Sequence, residues 1–257
     1  MDFKIVTFNL KNCYENFGIN SYIHRHTMII NKIRKEKPDF IGFQEAIPSI
    51  MSDLTDALPE YQIIFNGRKE DFSGEGLAIA LRKETVELMG LDVFWISETP
   101  YIPGSRYAIQ SECPRICQQA LIRFKNSTKL CWVFNNHLDH QEDAARILGI
   151  KQIMERVSEC KQKWDVPVFV MGDFNAEPDS ETINYCDNYE KIKITDLAAN
   201  SGGTWHDFGE LANPKKIDYI YSDLKAEECD CKAYCWDDEH YGIYLSDHYP
   251  VCVTLEI

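Results

Sequence analysis

The sequence predicts an α/β fold in which mixed β-sheets carry helices on the outside and two such sheets pack face to face. Three observations carry this expectation. Strand-like and helix-like segments interleave through both halves of the chain. The turn at residues 125–128 joins two apolar runs and requires them to pair antiparallel, so the sheet is mixed. Ten segments read as strands, a number that two sheets packed face to face would bury.

Taken in order, the first strand spans residues 4–8 and a helix spans 21–37, where Pro38 blocks the next turn. A strand at 39–44 leads to a second helix at 49–58, stopped by Pro59. Strands follow at 61–65, 77–82, 91–97, 118–124 and 129–135. A third helix runs from about Glu142 to Cys160, with Ala144, Ile147, Met154 and Val157 near one stripe. The run 166–171 is a buried-strand pattern that ends at Gly172 and leaves Asp173 and Asn175 on the loop beyond. Strands at 217–222 and 250–255 complete the set. No repeat and no Pro/Gly/Ser linker divides the chain, so residues 1–257 read as a single domain.

Composition narrows the class. With 44% hydrophobic and 26% charged residues, the 257-residue chain is that of a globular enzyme. No window approaches the roughly 18 consecutive apolar residues of a membrane span. MDFKIVTFNL begins a strand at once and lacks the charged and apolar regions of a signal peptide, which sets the expectation of a cytoplasmic protein. Net charge is −14, from 41 acids against 27 bases, and the densest basic runs, KEKP and NPKK, read as solvated surface. A binder of long duplex DNA needs a Lys/Arg face, so that class is disfavoured, whereas a phosphate substrate remains open because bound cations invert the local field. Ten cysteines sit largely within apolar patterns, as reduced core thiols do. Cys229, Cys231 and Cys235, with His240 nearby, lack the paired C-x2-C knuckles of a zinc site and read as structural or incidental thiols.

Polar residues gather at the predicted strand ends. Asn9 ends VTFNL and Glu45 ends FIGFQEA; Asn136, His137, Asp139 and His140 follow LCWVF; Asp173 and Asn175 follow VPVFVM; Asp218 lies in KIDYIY; and Asp247 and His248 precede the last strand. One at a time these are turn, cap or surface groups. Asp218 alternates with its neighbours as an outward strand residue would, GDFN fits an Asx turn, and DSETINY fits a helix cap. Recurrence at six strand ends is what argues for a site, since packed strands bring their ends to one rim. Glu45, Asp173 and Asp247, with the amides of Asn9 and Asn175, offer the hard oxygen ligands that suit Mg²⁺ or Mn²⁺. His248 is the titrating group and Asp218 the candidate partner for its other nitrogen. Arg115 and Arg106 can supply charge to non-bridging phosphate oxygens.

The ordered set N…QE…NHLDH…GDFN…DYI…SDH resembles the endonuclease/exonuclease/phosphatase superfamily, with DNase I, apurinic endonucleases, inositol polyphosphate 5-phosphatases, neutral sphingomyelinases and poly(A) deadenylases among its members. The match runs from Asn9 to His248, and WISETPYIPGSRY, CPRIC, NNHLDH and GTWH look like a bacterial branch near the deadenylase-like members. The resemblance implies a four-layer α/β/β/α sandwich. It implies Glu45 as main metal ligand with Asn9 and Asp247 beside the metal. Asp173 and Asn175 would position or activate water, His248, oriented by Asp218, would serve as base or phosphate-stabilising acid, and His137 would contact phosphate. Asp139, His140 and His206 fit the branch pattern as substrate-side residues.

The expected activity is Mg²⁺-dependent hydrolysis of a phosphoester, with Mn²⁺ able to substitute, in a phosphorylated small molecule or a short single-stranded nucleic acid. A 3′–5′ exoribonuclease is the rival reading, for which Trp205, Tyr101 and Tyr107 could stack bases, although no basic groove is evident. A lipid phosphodiesterase would want a signal peptide and an exposed apolar hairpin, and no membrane partner is expected. A non-catalytic phosphate-binding module would have lost a ligand or the base, and every expected group is present.

Overall fold

The computed structural model describes residues 2–14, 17–225 and 229–257. In chain order its elements are β1 (Asp2–Asn9), α1 (Tyr22–Glu36), β2 (Phe40–Ala46), α2 (Pro48–Ala57), β3 (Tyr61–Gly67), β4 (Gly76–Arg82), β5 (Val86–Trp95), β6 (Ile116–Phe124) and β7 (Leu130–His137). There follow α3 (Asp143–Lys163), β8 (Val168–Asp173), α4 (Glu181–Asp187), β9 (Thr195–Asp196), β10 (Asp218–Ser222), β11 (Lys232–Cys235), β12 (Glu239–His240), β13 (Ile243–Tyr244) and β14 (Val251–Glu256).

Two six-stranded mixed sheets form, in the orders β11-β14-β1-β2-β4-β3 and β5-β6-β7-β8-β10-β9. β1 pairs parallel with β2 across the α1 crossover, and β7 pairs parallel with β8 across α3. The pairs around them are antiparallel, including the β6–β7 hairpin that the turn at 125–128 required. Side-chain alternation then makes four layers. Phe3 and Ile5 of β1 meet Ile122, Val133, Phe169 and Ile220 of the other sheet, while Val6 and Phe8 pack under α1 and α2. The second sheet buries Phe134, Val170 and Tyr221 against α3 and α4.

The helix stops follow the expected chemistry. Lys37 adopts a left-handed φ of 50°, its N–H returns to the Ile33 carbonyl, and Pro38 follows. Ser180 Oγ accepts from the Ile183 N–H, so DSETINY is a helix cap. On α3 the buried stripe is Ala145, Gly149, Ile150, Ile153, Met154 and Val157; Met154 and Val157 fall on it as expected, whereas Ala144 is exposed and Ile147 half-buried. β5 begins at Val86, five positions before the expected 91, through a bulge between Leu88 and Gly90 that breaks the alternation in sequence.

One correction bears on the site. The eighth strand does not stop at Gly172 but continues to Asp173, paired with His137. Gly172 has a φ of 142°, and a Cβ there would stand 1.9 Å from the Asn136 carbonyl oxygen, so glycine is what allows the two strands to stay together. β9, β11, β12 and β13 were not anticipated, being too short to show a period.

A polar plug interrupts the inter-sheet core beneath the rim. Gln44 Nε2 donates to Asn135 Oδ1 at 2.7 Å, Asn135 Nδ2 donates to Gln118 Oε1 at 3.1 Å, and Gln118 Nε2 donates to Asn66 Oδ1 at 2.8 Å. These groups bridge the two sheets where the strands end, and their mutual satisfaction fixes how one sheet sits on the other. Among the described residues no helix is long and apolar enough to cross a membrane.

Candidate active site

The strand registers bring the polar clusters to one rim. Asn9 lies opposite Gln44, next to Glu45, while His137, Asp173 and Asp218 are consecutive neighbours across β7, β8 and β10. Asp247 and His248 arrive on the segment before β14, which pairs with β1. The ends of both parallel pairs therefore open into one cavity of about 870 Å³, lined by Glu45, His137, Asp173, Asn175, Asp247 and His248 among others.

Three non-glycine residues lining the cavity have left-handed backbones, Lys11 at φ 51°, Glu45 at φ 51° and Asn175 at φ 49°. Glu45 sits in the irregularity between Phe43 and Ala46, which turns its carboxylate into the cavity. Such conformations cost roughly 1–2 kcal/mol each and persist where the surroundings impose them. Asn12 contributes two donors to Glu45 Oε2, its N–H at 3.0 Å and its Nδ2 at 2.7 Å. Asn175 gives its N–H to Asp173 Oδ1 at 2.9 Å and its Nδ2 to the Leu138 carbonyl at 3.1 Å.

At the centre, Asn9 Nδ2 bridges Glu45 Oε1 at 3.2 Å and Asp173 Oδ2 at 3.0 Å. His137 Nε2 lies 3.4 Å and His248 Nε2 3.9 Å from the same Asp173 oxygen. His248 Nδ1 lies 2.9 Å from Asp218 Oδ2, and both side chains are buried. Asp218 is thus an inward residue, and its alternation in sequence reflects the opposite face of β10 being core as well. Asp173, Asp218 and His248 form a buried cluster whose ligand atoms all lie within 4.8 Å of one another.

The electrostatics follow from crowding. Burial and the neighbouring Asp218 push the Asp173 carboxyl up to about 7, against the lowering effect of His248. Burial lowers the His248 imidazole, but Asp218, Asp247 and Asp173 outweigh it and raise the group to about 10. His137 is driven well below its ordinary value by burial and by Arg115 and Arg68. Burial raises Asp247, yet His248 and Lys11 together hold it below the usual carboxylate range.

Not every expected residue reaches the cavity. Arg115 and His140 line it, with Arg115 Nη2 3.0 Å from His140 Nδ1. Asp139 is consumed by the fold: Ser111 Oγ donates to it at 2.5 Å, and the N–H groups of Gln141 and Glu142 at 3.0 and 2.8 Å. It ties the loop before β6 to the start of α3. Arg106 is exposed and donates to the Gln110 carbonyl, outside the cavity. His206 is buried behind Asp247, stacked on Tyr249 at 3.8 Å, with Nδ1 accepting from Gly209 N–H. Trp205 lines the cavity, whereas Tyr101 bonds Asp92 and Tyr107 bonds Gln152. No disulfide joins the ten cysteines; Cys229 belongs to the inter-sheet core, and the thiols of Cys231 and Cys235 face the Leu197 and Ser201 carbonyls.

Other residues were missed. Lys11 places Nζ 3.1 Å from Asp247 Oδ2, above the Phe17 ring. It stands two residues past Asn9 in the same post-strand loop, so the criterion that found Asn9 could have found it. Arg25 left no such signal, because it lies on α1. It is fully buried and donates to the carbonyls of Asn20, Leu10, Leu245 and Lys11, which clamps the loop after β1 to the segment carrying Asp247.

Solved structures share this fold. An endonuclease/exonuclease/phosphatase from Bacteroides vulgatus superposes with a TM-score of 0.91 at 26% identity, covering 100% of this chain and 99% of that one. A mannosyl-6-phosphatase of Bacteroides thetaiotaomicron shares the fold, with a TM-score of 0.84 at 23% identity, covering 99% of this chain and 100% of that one. In sequence, an uncharacterized protein of Acanthamoeba polyphaga mimivirus is 26% identical over 264 residues, 93% of this chain and 94% of its own. The family model described as Endonuclease/Exonuclease/phosphatase family matches residues 6–248, a span that starts in β1 and ends on the dyad histidine. By that match, over strands that deliver every group at the rim, the chain belongs to the endonuclease/exonuclease/phosphatase family.

Proposed function

We propose that this protein is a divalent-metal-dependent hydrolase of phosphoester bonds, acting on a phosphorylated small molecule or a short single-stranded nucleic acid. The observation that carries the reading is the convergence of Glu45, Asp173 and Asp247 with the His248–Asp218 pair in one cavity. The donor set fits Mg²⁺ or Mn²⁺: its donors are carboxylate and amide oxygens, and Glu45, Asp173 and Asp247 crowd together beside the Lys11 ammonium and His248. Glu45, Asn9 and Asp247 would hold the ion. When bound, it neutralises phosphoryl charge and stabilises the leaving oxygen.

The chain's own groups do the rest. Asp173 Oδ2 and His248 Nε2 lie 3.9 Å apart, so an attacking water that contacts both would yield its proton to the Asp173 carboxylate beside the charged imidazole. Asp218 fixes the imidazole through Nδ1, and Asn175 fixes Asp173. His137, kept neutral, donates to or accepts from the phosphate, and Arg115 supplies positive charge to the substrate. Free thiols suit the reducing cytoplasm.

A net charge of −14 favours small or single-stranded substrates over duplex DNA. A panel of phosphomonoesters, cyclic dinucleotides, oligoribonucleotides, inositol phosphates and duplex DNA, with Mg²⁺, Mn²⁺ or EDTA at about 0.15 M salt, tests this. Cation-dependent turnover of a small or single-stranded substrate is expected. Turnover unaffected by EDTA, or duplex DNA as the fastest substrate, overturns it.

A further inference from the structure

Away from Glu45 the cavity wall turns basic. Arg68 follows β3, Arg115 precedes β6, His140 follows β7 and Arg146 lies on the first turn of α3, and all four line the cavity. Arg115 is 4% exposed, and its Nε and Nη1 have no hydrogen-bond partner among the described residues. Its contacts are His140 Nδ1, 3.0 Å from Nη2, and the more distant Glu75 Oε1, 4.0 Å from Nη1. Arg146 is 9% exposed; its Nη1 donates to the Asp139 carbonyl and its Nη2 to Asp143, but its Nε has no partner. Buried guanidinium donors left without acceptors are costly, which makes them strong anion ligands once an oxygen is presented.

The counter-charges are few. Glu75 is bound to Arg68, and Asp143, which pairs with Arg146, has a side chain 86% exposed. Three guanidinium groups thus face Glu75, the solvent-exposed Asp143, and Asp139, whose carboxylate lies near Arg115 but already accepts from Ser111, Gln141 and Glu142. This wall is also set apart from the ion-holding acids. By hydrogen bonds among the described residues Glu45 meets it in relay, although its charge also reaches His140: Asn12 Nδ2 donates to Glu45 Oε2 at 2.7 Å and to Glu75 Oε2 at 3.1 Å, and Glu75 in turn meets Arg68 and Arg115.

We propose that Arg68, Arg115, His140 and Arg146 form a second anion subsite, which holds a substrate phosphate other than the one hydrolysed. The inference rests on the hydrolase reading and narrows it to phosphoesters that carry two phosphates. The shared chemistry is a second phosphate dianion or monoanion within the span of the cavity, whether on a bisphosphorylated sugar or on the next linkage of an oligonucleotide. Arginine forks bind such oxygens in pairs, and His140 adds a neutral donor.

The test uses the Mg²⁺-loaded enzyme and two matched pairs: a hexose bisphosphate with its monophosphate, and a 5′-phosphorylated dinucleotide with the unphosphorylated one. kcat/KM should favour the doubly charged member of at least one pair by roughly 10-fold or more, chiefly through KM, and the preferred pair identifies the source. Arg115→Lys and His140→Asn should each bring that ratio toward one; His140 is exposed, so its variant keeps the test open if the buried Arg115 change disrupts folding. In EDTA, the preferred bisphosphate should raise Tm for wild type and less for either variant. Ratios near one in wild type, or a preference that His140→Asn and a folded Arg115→Lys both retain, overturn the subsite. Protection in EDTA that the variants lose, without hydrolysis of any substrate, would keep the subsite and overturn the hydrolase reading instead.

Discussion

Removing His248 should damage stability and catalysis by separable amounts. Asp218 is 2% exposed; His248 Nδ1, 2.9 Å away, bonds its Oδ2, and its Oδ1 has no hydrogen-bond partner among the described residues. His248→Ala therefore leaves a buried carboxylate without a bonded partner, a change that costs roughly 3–5 kcal/mol. At about 2–4 °C per kcal/mol for a chain of this size, Tm should fall by roughly 6–20 °C. Catalysis should lose roughly 10²–10⁴ in kcat, the usual worth of a positioned proton-transfer group. Asp218→Asn should lose much of the same factor, because an amide can hold the imidazole in the wrong tautomer. The double variant is decisive. It removes both charges, so its Tm should recover above that of His248→Ala, while its kcat should be no lower than that of the slower single variant. The assay is kcat on the best substrate of the panel, below every melting transition, alongside thermal scans. Losses that multiply in the double variant, or an Asp218→Asn enzyme near wild type, would refute the dyad.

Three further outcomes are expected. Millimolar Mg²⁺ or Mn²⁺ should raise Tm, since a ligand at about 100 times its Kd adds roughly 2.7 kcal/mol, and EDTA should reverse the shift; a scan unmoved by either ion would count against the metal site. Asn135→Ala breaks the inter-sheet plug, leaving Gln118 Oε1 without this donor and Gln44 Nε2 with only its bond to the Gly42 carbonyl, so urea unfolding should report a loss of roughly 1–3 kcal/mol. Burial pushes the His206 imidazole down to about 4, so below its ordinary value near 6.5 the unfolded chain binds a proton that the folded chain refuses. Its contribution is intact above that pH and falls as pH drops toward 4, by up to about 1.4 kcal/mol per pH unit; His206→Asn, which keeps an acceptor for Gly209, should flatten that part of the urea-midpoint profile, and an unchanged slope would refute the assignment.

Much of the site was legible because it obeys a local rule. Asn9, Glu45, His137, Asp173, Asp218 and His248 each stand at the end of a strand whose apolar pattern is visible in a few residues. The helix stops at Pro38 and the cap at Ser180 were legible for the same reason, since backbone chemistry within one turn decides them. Elements set by distant partners were not. The extension of β8 to Asp173 depends on how closely it approaches Asn136, and the early start of β5 depends on pairing with β6.

What the sequence by itself determined is therefore the class of fold, the strand ends and the identity of the chemical groups they carry. The tertiary structure decided which of those groups meet. Arg106, Asp139 and His206 carry the same functional groups as Arg115, Asp173 and His137, yet the fold leaves the first outside the cavity, spends the second on backbone donors and seals the third behind Asp247. Arg25 acquires its role only through neighbours elsewhere in the chain, the Leu245 carbonyl among them. The reason is physical: a residue's type sets what it can bond, but only packing sets its burial and its partners, and in a crowded acidic cavity those two decide charge.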